Sequence, residues 1–400
     1  MKTIVQKYGG SSLATPDLIK KIADRVIQTK AQGYRVVVVV SALGDTTDHL
    51  VDLAKQVSAS PPPREMDMLL SVGERISISL LVMAIAERGH EAISFTGSQV
   101  GIITNTDHTR ARILEVRGHR ISDELNKGKI VVVAGYQGVS IEKEITTLGR
   151  GGSDTTAVAL AATLNAERCE IMTDVDGIFT ANPRWVASAE LLDSVSYSEM
   201  LDMANTGAQV LKASAVEFAQ RHNIKIAVGS SFSGSIGTLV CDAKLDRDRV
   251  TAVNHNMDVA LVRVHENAAA NWFLICEMAK SGLQVKLISH YKDKIFFVIC
   301  SEDLVAAQNL IDENRLVADY DNTIGLLSIT GAGINFGTDV PVRVNQTLNA
   351  LQVNPLLWQF SETTLCYGID KAFLQKAVIA VHDELIGNTK GRSRLGNEAL

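Results

Sequence analysis

Over roughly the first 240 residues, short apolar runs alternate with segments of helical period, and each apolar run empties into a polar or glycine-rich stretch. Thr3-Ile4-Val5-Gln6-Lys7-Tyr8 reads as a strand that ends in Gly9-Gly10-Ser11-Ser12, with a helix starting at about Pro16. Val36 to Val40 is five valines in a row, the pattern of a strand buried on both faces, and it opens into the hydroxyl-rich loop Ser41 to Asp48. Ser58 to Pro63 is a proline-rich linker. After it, Glu65 to Glu87 has helical periodicity interrupted by Gly73-Glu74-Arg75. Ala92 to Phe95, Ile130 to Gly135 and Cys169 to Thr173 are further strands, and the last leads through Asp174-Val175-Asp176-Gly177 to Phe179 and Arg184. Such alternation predicts an α/β fold, a mainly parallel sheet between helix layers. Its polar loops would gather at the C-terminal edge of the strands, where open sheets of this kind bind ligands.

The densest chemistry lies in Thr146-Thr147-Leu148-Gly149-Arg150-Gly151-Gly152-Ser153-Asp154-Thr155-Thr156, followed by the Ala/Leu-rich helix Ala157 to Ala162. Its glycines let backbone approach a ligand without a Cβ in the way, and Arg150 offers a planar fork to a carboxylate or phosphate. Ser153 and Asp154 fall at a helix N-terminus, an end that favours anions. The plain structural alternative is a glycine-rich turn capped by Asp154. At the first strand, backbone N–H groups of Gly9, Gly10 and Ser11 form a second candidate phosphate cradle, with Lys7 in reach of a transferred phosphoryl group. It is not the P-loop pattern, because no Gly-Lys-Ser/Thr triplet follows. Glycine N–H groups, two cations and several carboxylates on one edge suit phosphoryl transfer, which needs charge neutralisation and positioning.

Beyond the charged stretch at 242–250 the grammar changes. Val259 to Val264, Ala268 to Lys280, Val285 to Ile288, Ile295 to Ile299 and Leu304 to Asp312 run strand, helix, strand, strand, helix. The order returns in Leu326 to Ile329, Val340 to Leu351, Leu356 to Phe360, Thr364 to Gly368 and Phe373 to Ile386. This is a weak repeat of roughly 65–75 residues, matching two ferredoxin-like βαββαβ units. The expected division is a catalytic domain at 1–241, a linker at 242–250, small units at 251–323 and 324–388, and a frayed tail at 389–400.

Composition narrows the field. A net charge of −6 leaves no basic footprint for nucleic acid. The five cysteines are far apart without metal-ligand spacing, as expected of reduced thiols in a cytoplasmic protein. The chain opens directly on a strand, and its apolar runs read as too short or too interrupted by charge to span a membrane.

Lys7-Tyr8-Gly9-Gly10-Ser11-Ser12, Ser41 to Asp48, Gly73-Glu74-Arg75-Ile76-Ser77, Thr146 to Thr156 and Thr173-Asp174-Val175-Asp176-Gly177 together resemble the aspartate kinases of the amino-acid kinase family. The two C-terminal units resemble that family's paired ACT domains, which implies a homodimer or higher oligomer and binding of amino-acid effectors. The resemblance implies ATP and Mg²⁺ as cofactors and L-aspartate as substrate. Lys7 and Asp154 would be catalytic; Thr47, Glu74, Arg150 and Ser153 would bind aspartate, with Thr47 at the β-carboxylate, Glu74 at the α-ammonium and Arg150 at the α-carboxylate. Lys7, Gly9, Gly10, Ser11, Thr173, Asp174, Phe179 and Arg184 would bind nucleotide, and no protein metal ligand is assigned. The expected product is 4-phospho-L-aspartate, at the first step of lysine, threonine and methionine synthesis.

The chain departs from the family pattern at five places. Gln209 stands where lysine is usual, with Lys212 three residues on; Asn182 replaces a common aspartate and Phe179 a common tyrosine. His265 to Ala270 lacks the Asp-x-Pro-Gly turn, and Pro355 falls in the effector-binding strand. These departures keep three alternatives open: a specialised-pathway aspartate kinase with altered or lost feedback, a non-catalytic regulatory paralogue, and a related kinase acting on another carboxylate.

Overall fold

The structure, a computed structural model, describes residues 1–149, 151–208, 210–242, 249–265, 268–281, 283, 285–291, 294–334 and 339–387. The chain forms two compact units: Met1–Ile178 with Leu191–Met200 and Val210–Ala243, and Phe179–Glu190 with Leu201–Gln209 and Lys244–Leu400. Sequence pattern suggests a single cut near residue 242, whereas two earlier segments pack with the second unit. Ala181 and Val186, for instance, are buried beside Val253, Leu327 and Val378. Apolar pattern marks a segment as buried without saying in which core. The expected tail at 389–400 and positions 243–248 of the expected linker lie outside the described residues.

The first unit is built on an eight-stranded sheet. In chain order its strands are β1 (Thr3–Tyr8), β2 (Arg35–Val40), β3 (Ala92–Phe95), then, after two strands of a smaller sheet, β4 (Ile102–Thr104) and β5 (Ile113–Val116), β6 (Ile130–Ala134). The small sheet adds β7 (Gln137–Ser140) and β8 (Ile145–Thr147); the large one continues with β9 (Arg168–Thr173), β10 (Ser194–Ser196), β11 (Ile226–Ser230) and β12 (Ile236–Cys241). The large sheet has the order β10-β12-β11-β9-β1-β2-β6-β3, and every neighbouring pair is parallel except β11/β12. The small sheet, β5-β4-β7-β8, was not legible in the pattern, because its strands are three or four residues long and partly polar.

Helices α1 (Pro16–Ala31), α2 (Thr46–Val57), α3 (Pro63–Leu70), α4 (Val72–Ala86), a single turn α5 (Gly97–Val100), α6 (His119–Asn126) and α7 (Gly152–Thr163) connect these strands. α1 starts with Thr15 Oγ1 accepting the Leu18 N–H, and with Pro16 in the first turn, where a missing N–H costs nothing. Its apolar stripe and that of α4 cover the face of the sheet carrying Tyr8, Val36, Val38, Val40, Ile130 and Val132. α7, buried almost all round and rich in alanine, packs on β1, β2 and β9 from the face that carries Lys7.

Three details differ from the sequence reading. The loop after β2 is shorter, because α2 already begins at Thr46. The break in the long helix falls at Ser71, so Gly73-Glu74-Arg75 forms the first turn of α4 instead of interrupting a helix. Taken together across that break, Pro63–Ala86 is also long and apolar enough, by length and composition, to cross a membrane. The buried carboxylates of Asp67 and Glu74 and the packing of α4 against α1, β3 and β6 make it a core helix of this unit. Its outer side is left with an apolar row, Met68, Val72, Ile76, Leu80 and Met83.

Two further helices, α8 (Tyr197–Thr206) and α9 (Ala213–His222), precede the C-terminal elements. The second unit contains β13 (Arg249–Asn256), β14 (Val259–His265), α10 (Ala268–Lys280), β15 (Val285–Tyr291), β16 (Lys294–Cys300), α11 (Leu304–Glu313), β17 (Ala318–Asp321), β18 (Ile324–Ala332), α12 (Asp339–Ala350), β19 (Leu357–Phe360), β20 (Thr364–Asp370) and α13 (Lys371–His382). Two antiparallel four-stranded sheets result, β15-β16-β14-β17 and β13-β18-β20-β19, each with two helices on one face. These are the two ferredoxin-like units, with one exchange. β13 precedes the first of them in sequence yet pairs with β18 of the other, at the position that β17 holds beside β14. The opposite faces of the two sheets share a core of Val259, Leu261, Val298, Leu326 and Cys366.

Candidate active site

Because the neighbours β3, β6, β2, β1, β9 and β11 run parallel, their C-terminal ends lie along one edge. There β1 delivers Lys7 to the α7 side, and its Nζ lies 2.7 Å from Asp154 Oδ1 in a mostly buried ion pair. Gly9 follows, and a Cβ built on it would stand 3.6 Å from Lys7 Nζ, so the ammonium curls back over the turn. Gly10 tolerates no side chain. A Cβ there would lie 2.8 Å from the Ala42 carbonyl oxygen and 2.9 Å from that of Gly44. The Gly44 N–H in turn donates to the Gly10 carbonyl, which welds the β1 and β2 loops together. Ser11 opens the single 3₁₀ turn after Gly10 and is exposed.

Gly73 permits a similar approach: a Cβ on it would meet Ala42 Cβ at 2.7 Å. This closeness lets Glu74 Oε1 accept the Ala42 N–H at 3.1 Å. Glu74 is 2% exposed, and its other oxygen has no partner among the described residues. Burial pushes its carboxyl up from 4.5 to about 7, against the smaller opposing pull of hydrogen bonds from its own N–H and that of Ala42. A desolvated, half-satisfied carboxylate at a sheet edge is a site prepared for a cation. Thr47 lies half-buried in the first turn of α2, beside Thr46, whose methyl faces Gly73.

Ser153 and Asp154 are both buried in the first turn of α7. Ser153 packs against Gly135 at the end of β6, where a Cβ would lie 2.6 Å from the Ser153 hydroxyl oxygen. Gly149 and Gly151 hold φ of +73° and +74°, a region that favours glycine. Arg150 and Gln209 lie outside the described residues. Lys212, at the start of α9, lays its aliphatic stem over Gly151 and so stands beside the glycine loop. Below the Lys7–Asp154 pair, burial and then the Asp154 charge push the Cys169 thiol well above its usual range, which keeps it neutral.

On the other side of β1, Thr173 ends β9, and its hydroxyl donates to Asp174 Oδ1 at 3.0 Å. Its carbonyl accepts the Ser231 N–H at 2.7 Å, and Ser12 Oγ donates to Ser231 Oγ, also at 2.7 Å. Arg25 donates to the carbonyls of Ser230 and Ser231. The serine turn after β11 therefore bridges the two expected nucleotide-binding stretches, a role not read from sequence although the run Ser230-Ser231-Phe232-Ser233 could have signalled it. Phe179 and Arg184 fall in the segment grouped with the second unit. There the Arg184 side chain is exposed and its N–H donates to Asn182 Oδ1. Thus Lys7, Gly9, Gly10, Ser11, Thr47, Glu74, Ser153, Asp154, Thr173 and Asp174 share one edge of one sheet, and Phe179 and Arg184 belong to the other body.

Residues 2–230 match the model of the amino acid kinase family. The chain is similar to an aspartokinase of Mycolicibacterium smegmatis, 46% identical over 96% of both chains. It is also similar to an aspartokinase of Bacillus sp. (strain MGA3), 43% identical over 97% of this chain and 98% of that one. Among solved structures, the crystal structure of E. coli aspartokinase III in complex with aspartate and ADP superposes with a TM-score of 0.85. It is 25% identical and covers 96% of this chain and 100% of that one.

Proposed function

Since the chain belongs to the amino acid kinase family, and within it to the aspartokinases, we propose that its site carries out ATP-dependent phosphorylation of the β-carboxylate of L-aspartate. The observation that carries this reading is Glu74, a buried carboxylate that accepts the Ala42 N–H after β2 and whose second oxygen has no partner among the described residues. An α-ammonium group would satisfy that oxygen and recover the cost of its desolvation. Arg150 would then hold the α-carboxylate, with Thr47 and Ser153 directing the β-carboxylate toward Lys7. That carboxylate is ionised at neutral pH, so the attack needs no general base.

On the nucleotide side, the N–H groups of Gly9, Gly10 and Ser11 would cradle phosphate oxygens, and Lys7 would leave Asp154 to meet the charge that builds on the transferred group. Thr173 and Asp174 would hold the rest of the nucleotide. Among the described residues, no group of three or more His, Cys, Asp or Glu side chains is arranged around a metal position. Mg²⁺ takes few protein carboxylates and completes its shell with water and phosphate. Asp154 would be the side chain to hold it, and the ion would neutralise charge on the phosphates. The product, 4-phospho-L-aspartate, places the enzyme at the start of lysine, threonine and methionine synthesis. The second unit suits pairing with another copy, since its edge strand β19 exposes Trp358 and Phe360, stacked 5.5 Å apart, next to exposed Leu356.

The test is formation of aspartyl hydroxamate from ATP, Mg²⁺, L-aspartate and hydroxylamine, with and without lysine and threonine. Turnover with L-aspartate supports the reading, and inhibition by either amino acid would assign feedback control to the second unit. A folded chain that binds aspartate without turnover would overturn the reading in favour of a regulatory role.

A further inference from the structure

One buried charge in the first unit takes no part in the chemistry just described. Asp67, in the middle of α3, is fully buried, and its carboxylate is saturated with donors. Thr147 Oγ1 donates to Oδ1 at 2.5 Å, the Thr109 N–H reaches both oxygens at 3.0 and 3.1 Å, and His108 Nδ1 lies 2.6 Å from Oδ2. These donors come from two separate stretches, the 105–110 loop and the end of β8. Thr109 holds a left-handed φ of +68°, which a β-branched residue adopts at a cost, and its carbonyl lies 3.3 Å from where a Cβ on Gly149 would be. The same loop is locked to β8 a second time, by the Ala111 N–H donating to the Thr147 carbonyl.

Burying a carboxylate is a poor way to gain stability, because apolar side chains of equal volume do as well. What it supplies is directional bonding to fixed partners. Asp67 sits two helical turns before Glu74 on the same helical stretch, and Thr147 is followed at once by Leu148 and the glycine loop. One carboxylate therefore joins the element that carries Glu74 to the strand that launches residues 148–152. A parallel tie runs from Gln137 Nε2 to the Ser71 carbonyl.

We propose that Asp67 is the positioning residue of the aspartate pocket, fixing the distance between Glu74 and the glycine loop through Thr147 and the 108–109 turn. It touches no substrate. This rests on the reading of Glu74 and the glycine loop as the two ends of that pocket. Misplacing one recognition element by about 1 Å is enough to lose one to two orders of magnitude in productive binding.

The experiment is steady-state kinetics of Asp67→Ala, Asp67→Asn and Thr147→Val alongside the wild type, with circular dichroism to establish folding. The expected result is a KM for aspartate raised about tenfold or more in D67A and T147V, and a KM for ATP within about twofold of wild type. D67N keeps an acceptor for Thr147 and Thr109, so it should fall between. A folded D67A with an unchanged KM for aspartate, or with both KM values raised equally, overturns the proposal. If D67A does not fold, T147V decides by the same readout. A wild type that makes no aspartyl hydroxamate overturns the substrate reading itself, whereas an active wild type with unaffected variants overturns only the role of Asp67.

Discussion

Glu74→Gln tests the pocket through a property of the ligand-free protein. In the free enzyme the Glu74 carboxyl titrates at about 7 instead of 4.5, chiefly because burial disfavours its charged form. Between those values the folded chain holds a proton that the unfolded chain has released. The sign follows: stability is full below about pH 4.5, falls as pH rises through about 7, and stays reduced above. At about 1.4 kcal/mol for each tenfold change in proton affinity, the loss at pH 8 is about 3 kcal/mol. Glutamine keeps the shape and can still accept the Ala42 N–H, but has no charge to desolvate. E74Q should therefore match the wild type at about pH 4.5 and exceed it by up to about 3 kcal/mol at pH 8, read from urea denaturation of the ligand-free protein. Binding of an α-ammonium needs the ionised form, so wild-type kcat/KM for aspartate should climb with a midpoint near pH 7. E74Q should lose that limb together with about two orders of magnitude in kcat/KM. A flat wild-type profile between pH 6 and 8, with no stability gain in E74Q at pH 8, would refute both the desolvation and the assignment to the ammonium.

Lys7→Met strands Asp154 in a buried site and should cost about 3–5 kcal/mol of stability as well as at least a hundredfold in kcat. Adding Asp154→Asn should restore the melting temperature but not turnover, and a double variant as unstable as K7M would count against the pair as the source of the loss. Gly10→Ala would push the cradle off the Ala42 and Gly44 carbonyls, so its KM for ATP should rise about tenfold or more while aspartate is affected less; unchanged nucleotide kinetics would place the phosphates elsewhere. In the second unit, His255 stacks on Trp185 at 3.5 Å, and burial lowers its ring to about 4. Below about pH 6.5 the unfolded chain takes up a proton that the folded one refuses, so this unit should lose stability between pH 6.5 and 4. His255→Phe should flatten that limb in a Trp fluorescence melt, and an unchanged limb would assign the acid sensitivity to another group.

Where the physics is local, the sequence was enough. The β-branched runs at 36–40 and 130–133 had to be strands buried on both faces, since no other placement hides so many such side chains. The polar stretches after each strand had to meet at one edge once the strands were parallel. For the same reason Lys7, Gly10 and Asp154, each next to a strand end or glycine turn, could be expected at that edge, whereas Glu74 entered only through the family resemblance. The twofold strand–helix order after residue 257 likewise announced two ferredoxin-like units. Other features depend on pairings that no local pattern encodes. β13 carries the same alternation whichever sheet it joins, and only the tertiary fold sends it past its sequence neighbour to β18. Ala181 and Val186 read as buried, but their core is chosen by packing against β13 and α13. Asp67 is most telling, because a single acid in an amphipathic helix looks like a solvated face. Its donors come from 41, 42 and 80 residues away, and only the folded chain brings them together. Sequence fixes what each segment can bury or bond, whereas long-range closure decides which partner it meets.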